Sequence, residues 1–308
     1  MKIPVMLKKL LSIILLITIS IFINALPLEK TDKLEINLYR REIIQGIYRR
    51  NYYLYMPVKY TNQRKIPLLI LLPPEGGDYN SILKTAQWKI KADTANFLIL
   101  IPEAMPQDRR VESRVLSNPR IWNNNEEEKQ YNDYEYIRES LEDVLKTYTI
   151  DNENIYIVGY SSSAQIAYNF SLKNHEHIKK IALISPIFFE KPEYSEKIPE
   201  MLIMHSKSKK EFKTISRTFF KNQQTLNGEE FIQNLTENNE IKLIETIYEK
   251  GGEINKYKHS EKQTSIKEIK IDNTGHLWYG GIQYLPSYLT GKDQHYFNAT
   301  TETLDFFK

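Results

Sequence analysis

The chain is 308 residues long with 41% hydrophobic and 26% charged residues, which suits one large folded α/β domain or two small ones. It has no cysteine, so disulfides, thiolate nucleophiles, iron–sulfur clusters and cysteine-ligated zinc are excluded. The formal charge of +3 is supplied by Lys2, Lys8 and Lys9, and the neutral balance of the remainder leaves no footprint for a nucleic-acid partner.

Residues 1–25 read as a secretory signal: Lys8 and Lys9 precede a nearly continuous apolar run from Leu10 to Ile23, and Asn24-Ala25 before Leu26-Pro27 offers a cleavage point. The run is shorter than the ~20 residues a spanning helix needs. An uncleaved anchor is the alternative, and cleavage would leave a protein without a membrane partner. Residues 26–308 then form a single domain outside the cytoplasm, secreted or periplasmic.

From Leu34 to Met56 the apolar residues alternate around Gln45-Gly46, which predicts a two- or three-stranded antiparallel section. Ile66 to Leu72 is apolar throughout, as in strands of a parallel sheet buried on both faces. It ends at Pro73-Pro74-Glu75-Gly76-Gly77-Asp78. A helix is expected over Ile82 to Asn96 and a strand over Phe97 to Ile101. Ala104 to Asn132 is polar and irregular, and segments of that length in compact domains are commonly functional. Tyr134, Ile137, Leu141, Val144, Leu145 and Tyr148 are spaced as one face of a helix over Asp133 to Tyr148. A strand at 155–158 and a helix from Ser162 to Asn174 follow. Further strand cores lie at 181–184, 201–204 and 266–271. Between the last two, residues 207–263 form a polar insertion with helical stretches at Phe212 to Leu226 and Glu229 to Leu235. Strand–helix alternation of this kind predicts a mostly parallel sheet with helices on both faces.

The chemistry centres on Ile155-Tyr156-Ile157-Val158-Gly159-Tyr160-Ser161-Ser162-Ser163-Ala164. An apolar strand running into Gly-x-Ser is the layout of a nucleophile elbow, a sharp strand-to-helix turn that lifts a serine Oγ above a sheet. The fifth position is Ser163 where the motif has glycine. A serine attacks an ester only with a base in reach, a group that orients the base, and donors for the oxyanion. His276, in Asn273-Thr274-Gly275-His276-Leu277-Trp278-Tyr279-Gly280-Gly281 after the last strand core, is placed to be that base. His175 and His177 read as solvated residues at a helix end, and their spacing makes no metal site. No metal or cofactor is expected.

Several of these stretches resemble the secreted polyhydroxybutyrate-depolymerase and feruloyl-esterase type of α/β-hydrolase, in pieces, over roughly residues 47–308. Tyr52 to Pro57 is similar to the family's Tyr-x-x-Tyr-x-Pro strand, and Asp133 to Ser161 to its helix followed by Tyr-x-Val-Gly-x-Ser. His276, Trp278, Gly280 and Gly281 match His-x-Trp-x-Gly-Gly, and Phe297-Asn298-Ala299-Thr300 matches its ending. The resemblance implies an α/β-hydrolase fold, carboxylic ester hydrolysis, Ser161 as nucleophile and His276 as base.

The chain also departs from that pattern. Pro73-Pro74 stands where the family has His-Gly, and proline has no N–H to donate. The expected oxyanion donors are therefore the backbone of Glu75, with Gly76 as runner-up, and of Ser162, with the Glu75 carboxylate turned away. Lys209 stands where the family's orienting aspartate should be. Glu211 is the first substitute, Glu190 the second, and Asp272 lies too near His276 to be preferred. Trp122 and Trp278 are candidate substrate walls, with core packing the alternative for each. Two other readings stay open: a catalytically impaired or inactive binding protein on the same scaffold, and a peptidase of the same fold. Neither the ester nor the oligomeric state can be read from these residues.

Overall fold

The computed structural model describes residues 32–114, 117–123, 131–192, 198–221, 223–238, 240–261 and 265–308. The segment read as a signal, residues 1–25, lies outside them, as does the Glu126-Glu127-Glu128 run. Among the described residues no helix is long and apolar enough to cross a membrane.

The alternating N-terminal section folds as three strands, β1 (Asp32–Glu35), β2 (Leu38–Gln45) and β3 (Tyr48–Tyr55). They pair antiparallel in sequence and join the sheet through β5 (Leu98–Pro102). The centre is parallel. It comprises β5, β4 (Ile66–Leu72), β8 (Ile150–Tyr160), β9 (Ile178–Ile184), β10 (Glu200–Ser206) and β13 (Ser265–Ile271). The apolar run of β4 explains its central place, because both of its faces are buried. Leu68, Ile70 and Leu72 enter one core and Leu69 and Leu71 the other.

Helices cover each face. The first core is closed by α3 (Asp133–Thr147) and α4 (Ser163–Lys173), joined by α6 (Gly228–Asn238) through Phe231, Ile232 and Leu235. The second is closed by α1 (Tyr79–Ala86), α2 (Trp88–Ala95) and α7 (Ala299–Phe307). α3 begins where expected because the Asn132 side chain accepts from the Glu135 N–H, and acidic residues fill its first turn. The helix expected over Ile82 to Asn96 is two helices. Gln87 adopts a left-handed conformation (φ 55°) that ends α1 and turns Trp88 into the core against Phe97 and Trp278.

The largest difference from the sequence reading lies within 207–263. Beyond α5 (Lys209–Phe219) and α6, the chain forms β11 (Ile241–Glu249) and β12 (Gly252–His259). These continue the sheet antiparallel from β13, so the order is β1-β2-β3-β5-β4-β8-β9-β10-β13-β12-β11. β11 is an edge strand that is largely exposed, and its apolar residues Ile241, Leu243, Ile244 and Ile247 follow neither the strict alternation nor the continuous run of the other strands. Its cross-strand pairs include Lys256 with Glu245 at 2.8 Å and Thr246 with Asn255 at 2.7 Å, beside Ile247 opposite Ile254. Among the described residues of 104–132 the named strands are one two-residue pair, β6 (Met105–Pro106) with β7 (Arg120–Ile121).

Candidate active site

β8 delivers Ser161 at the C-terminal edge of the parallel strands, and the chain turns at once into α4. The turn forces Ser161 into the left-handed region (φ 57°), a strained setting characteristic of a serine elbow. Gly159 is required there: a Cβ would lie 2.7 Å from the Ser163 carbonyl oxygen. Ser163, in the place of the motif's second glycine, is fully buried, and its hydroxyl donates to the Leu72 carbonyl at 2.9 Å. The extra side chain therefore ties the elbow to the end of β4. The Ser161 N–H donates to Ile184 O at 3.0 Å, and the Ser161 carbonyl accepts from the Ile187 N–H at 3.0 Å.

The loop after β13 brings His276 to this point. His276 Nε2 lies 2.9 Å from Ser161 Oγ across 115 residues of sequence. The loop is fixed mainly through backbone. The His276 N–H donates to Thr290 O at 2.7 Å, and Ser185 Oγ donates to Leu277 O at 2.7 Å. Gly275 sits so close to Thr290 that a Cβ would lie 1.7 Å from its carbonyl oxygen. The imidazole stacks against the Tyr160 ring at 6.5 Å. It is buried, and burial lowers its pKa to about 4.

The structure does not bring the expected acids to His276, and among the described residues no carboxylate is hydrogen-bonded to it. Glu211 lies in the first turn of α5 and accepts from the Ser208 hydroxyl. Glu190 is exposed, and Asp272 pairs with Lys207 at 3.0 Å. Lys209 does not intrude on the histidine either. It pairs with Glu229 at 2.9 Å, which the hydrogen bond from Lys209 holds below the usual carboxylate range. A small cavity of about 20 Å³ adjoins His276, bounded also by Ser206, Ser208, Lys209 and Glu229. Backbone bonds thus hold the loop, while the hydrogen bond given to the ring itself, among the described residues, is the one to Ser161 Oγ. His205, in β10, pairs with the buried Glu268 at 2.8 Å.

Two expectations for the oxyanion loop change. The Glu75 N–H is engaged, donating to Ser162 Oγ at 2.9 Å, and the Gly76 N–H donates to Arg120 O at 2.8 Å. Ser162 does stand at the N-cap of α4, where helix N–H groups are left without intrahelical partners. The Glu75 carboxyl is drawn toward the Trp122 backbone N–H. Burial pushes its pKa up to about 7, and that bond counteracts the shift in part. Trp122 is a buried core residue whose Nε1 donates to Pro73 O at 2.9 Å, so it braces the loop from behind and is not a wall of the cleft. Trp278 is also buried, with Nε1 donating to Thr300 Oγ1 at 2.9 Å, but it borders a cavity beside Tyr160.

One space opens at the serine, and a second lies on the other side of Tyr160 without touching Ser161 or His276. Ser161, Ser162 and His276 open into a cleft of about 630 Å³ whose far side is Ile215, Phe219 and Phe220 from α5 and the turn after it. Tyr160, Trp278, Leu277 and Leu285 bound a second cavity of about 230 Å³. Glu75 and Tyr160 border both. Sequence reasoning missed Ser185, Tyr160 and the apolar face of α5. The polar insertion did indicate a helix near the site, but not which residues face inward.

The family model described as "Putative esterase" matches residues 48–263. No curated protein sequence matches the chain. Among solved structures, an S-formylglutathione hydrolase from Agrobacterium tumefaciens is similar at 14% identity. It covers 80% of this chain and 91% of its own, with a TM-score of 0.53. An acetyl xylan esterase from Aspergillus awamori is similar at 11% identity, covering 77% and 94%, with a TM-score of 0.52. A ferulic acid esterase from Anaeromyces mucronatus, in complex with ferulic acid, is similar at 14% identity, covering 81% and 85%, with a TM-score of 0.51.

Proposed function

The chain belongs to the esterase family, an ester-hydrolysing enzyme on an α/β-hydrolase fold, and from that premise we propose that it is an exported serine esterase working through an acyl-enzyme on Ser161. The observation that carries this reading is the 2.9 Å contact between Ser161 Oγ and His276 Nε2 at a left-handed elbow. Ser161 Oγ attacks the ester carbonyl carbon while its proton passes to His276 Nε2. The tetrahedral intermediate collapses, the C–O bond to the alcohol breaks, and the alcohol leaves with that proton. Water then attacks the acyl-serine, again giving a proton to His276, and the carboxylic acid departs with Ser161 restored. Export rests on Lys8, Lys9 and the apolar run that follows them.

We assign the substrate to esters with a small or single-ring acyl group, feruloyl-type esters included, in preference to a polyester chain. A cavity of about 150 Å³ admits one benzene ring. The 230 Å³ space beside Tyr160 and Trp278 therefore accepts a substituted ring, and the larger cleft receives the alcohol. The names of the structural neighbours, with formyl, acetyl and ferulic groups, fit this range. The test is hydrolysis of p-nitrophenyl acetate, methyl ferulate and a 3-hydroxybutyrate oligomer by the purified protein. Turnover of the first two above that of the oligomer is expected, and a preference for the oligomer would reverse the assignment.

The same assay run across pH carries a sharper expectation. His276 accepts a proton only while neutral, and its pKa of about 4 keeps it neutral above that pH. The acid limb of kcat/KM should therefore lie near pH 4, well below the limb near 6.5 of an ordinary histidine. Glu75 borders the cleft with a pKa raised by burial to about 7, so a negative charge develops at the border of the cleft as the pH rises past that value. The rate should fall above about pH 7, and Glu75→Gln should remove that fall. An acid limb near 6.5 would contradict the role given to the burial of His276.

A further inference from the structure

The loop after β4 has unusually little to offer an oxyanion. Pro73 and Pro74 have no N–H, the Gly76 N–H is committed to Arg120 O, and the Gly77 N–H to Pro74 O at 2.9 Å. The Glu75 N–H is committed to Ser162 Oγ at 2.9 Å. A carbonyl oxygen turning into an alkoxide beside Ser161 thus finds the Ser162 N–H and no loop N–H that is free.

The hydroxyl of Ser162 stands apart from those around it. Ser161 Oγ faces His276 Nε2, Ser163 Oγ donates to Leu72 O, and Ser185 Oγ donates to Leu277 O. Ser162 Oγ accepts from Glu75, and among the described residues its own proton has no acceptor. The residue is 2% exposed and borders the same cleft as Ser161. A buried hydroxyl that receives one hydrogen bond is polarised toward giving another.

We propose that Ser162 is a catalytic residue whose side-chain O–H donates to the oxyanion, replacing the loop N–H that it engages. No proton is transferred in this contact: it is a hydrogen bond that strengthens as charge builds on the oxygen. The proposal rests on Ser161 being the nucleophile.

The test is Ser162→Ala, assayed with p-nitrophenyl acetate and with a trifluoromethyl ketone that forms a tetrahedral adduct on the serine. Loss of one oxyanion donor costs about 10²–10³-fold in kcat. We expect a fall of that size, KM within about twofold, and weakening of the ketone by the same factor. Thermal melting of the variant should match the parent protein. The opposite result is equally readable. If Ser162 merely blocks the Glu75 N–H, alanine frees that donor, and kcat stays level or rises, which overturns the proposal. Ser161→Ala, run beside it, separates the two ideas. Background rates from Ser161→Ala with full rates from Ser162→Ala would remove only this inference, whereas full rates from Ser161→Ala would remove the nucleophile assignment itself.

Discussion

Ser161→Ala and His276→Ala should each lower kcat for p-nitrophenyl acetate by about 10⁴-fold or more, with the double variant hardly worse than either single one. The expectation follows from the 2.9 Å contact, since a serine and its base act as one unit. Neither side chain has a built-in substitute. The adjoining serines are otherwise engaged: Ser162 accepts from Glu75, and Ser163 is fully buried and donates to Leu72 O. Both variants should fold, because Ser161 is held through its backbone N–H and carbonyl, and the His276 loop through Thr290 and Ser185. Steady-state rates with unchanged melting curves check this. Additive losses from the two substitutions would mean that the residues act separately.

The second large effect is on stability. Asp133→Ala should destabilise the fold by about 3–5 kcal/mol in denaturant unfolding, the usual cost of breaking one side of a buried ion pair. Asp133 is fully buried and lies 2.5 Å from Arg50, which is itself 2% exposed. Burial raises the Asp133 pKa, and the Arg50 charge opposes that shift. Without Asp133, Arg50 is left with the Gln45 side chain at 3.2 Å, the Glu103 carbonyl at 3.1 Å and the Tyr136 ring at 3.6 Å, none of them a countercharge. Asp133 also accepts from the Asn123 N–H at 2.5 Å, next to Trp122, which braces Pro73. The change should therefore also loosen the oxyanion loop and lower kcat in the folded fraction. A loss under about 1 kcal/mol would mean that the pair contributes little.

Much of this architecture is legible in the sequence because its signals are local. The apolar run of β4, the face of α3 and the strand that feeds Gly159-Tyr160-Ser161 each declare themselves over a few residues. The pairing of Ser161 with His276 was reached through two short motifs, and the chain brings them together as the fold requires. What was not legible depended on partners distant in sequence. Glu211 looked available as an acid until α5 placed it against Ser208. The Glu75 N–H looked free until the Ser162 side chain met it. Trp122 looked like a substrate wall because nothing local shows that Pro73 receives its N–H. Asp133 read as the start of a helix, with no sign that Arg50, 83 residues earlier, would be buried against it. The β11–β12 hairpin was hidden for another reason: in this exposed edge strand Lys242, Glu245 and Thr246 break up the apolar pattern of Ile241, Leu243, Ile244 and Ile247.

The central claim is that Ser161 carries the acyl group. The direct test is to mix the protein with p-nitrophenyl acetate, quench in acid, and read the mass of the intact chain and of the peptide containing Ser161. The account predicts one acetyl group on Ser161 that is lost with time, and none in Ser161→Ala. Hydrolysis that proceeds while Ser161 stays unmodified, or an acetyl group carried by another residue, would contradict it.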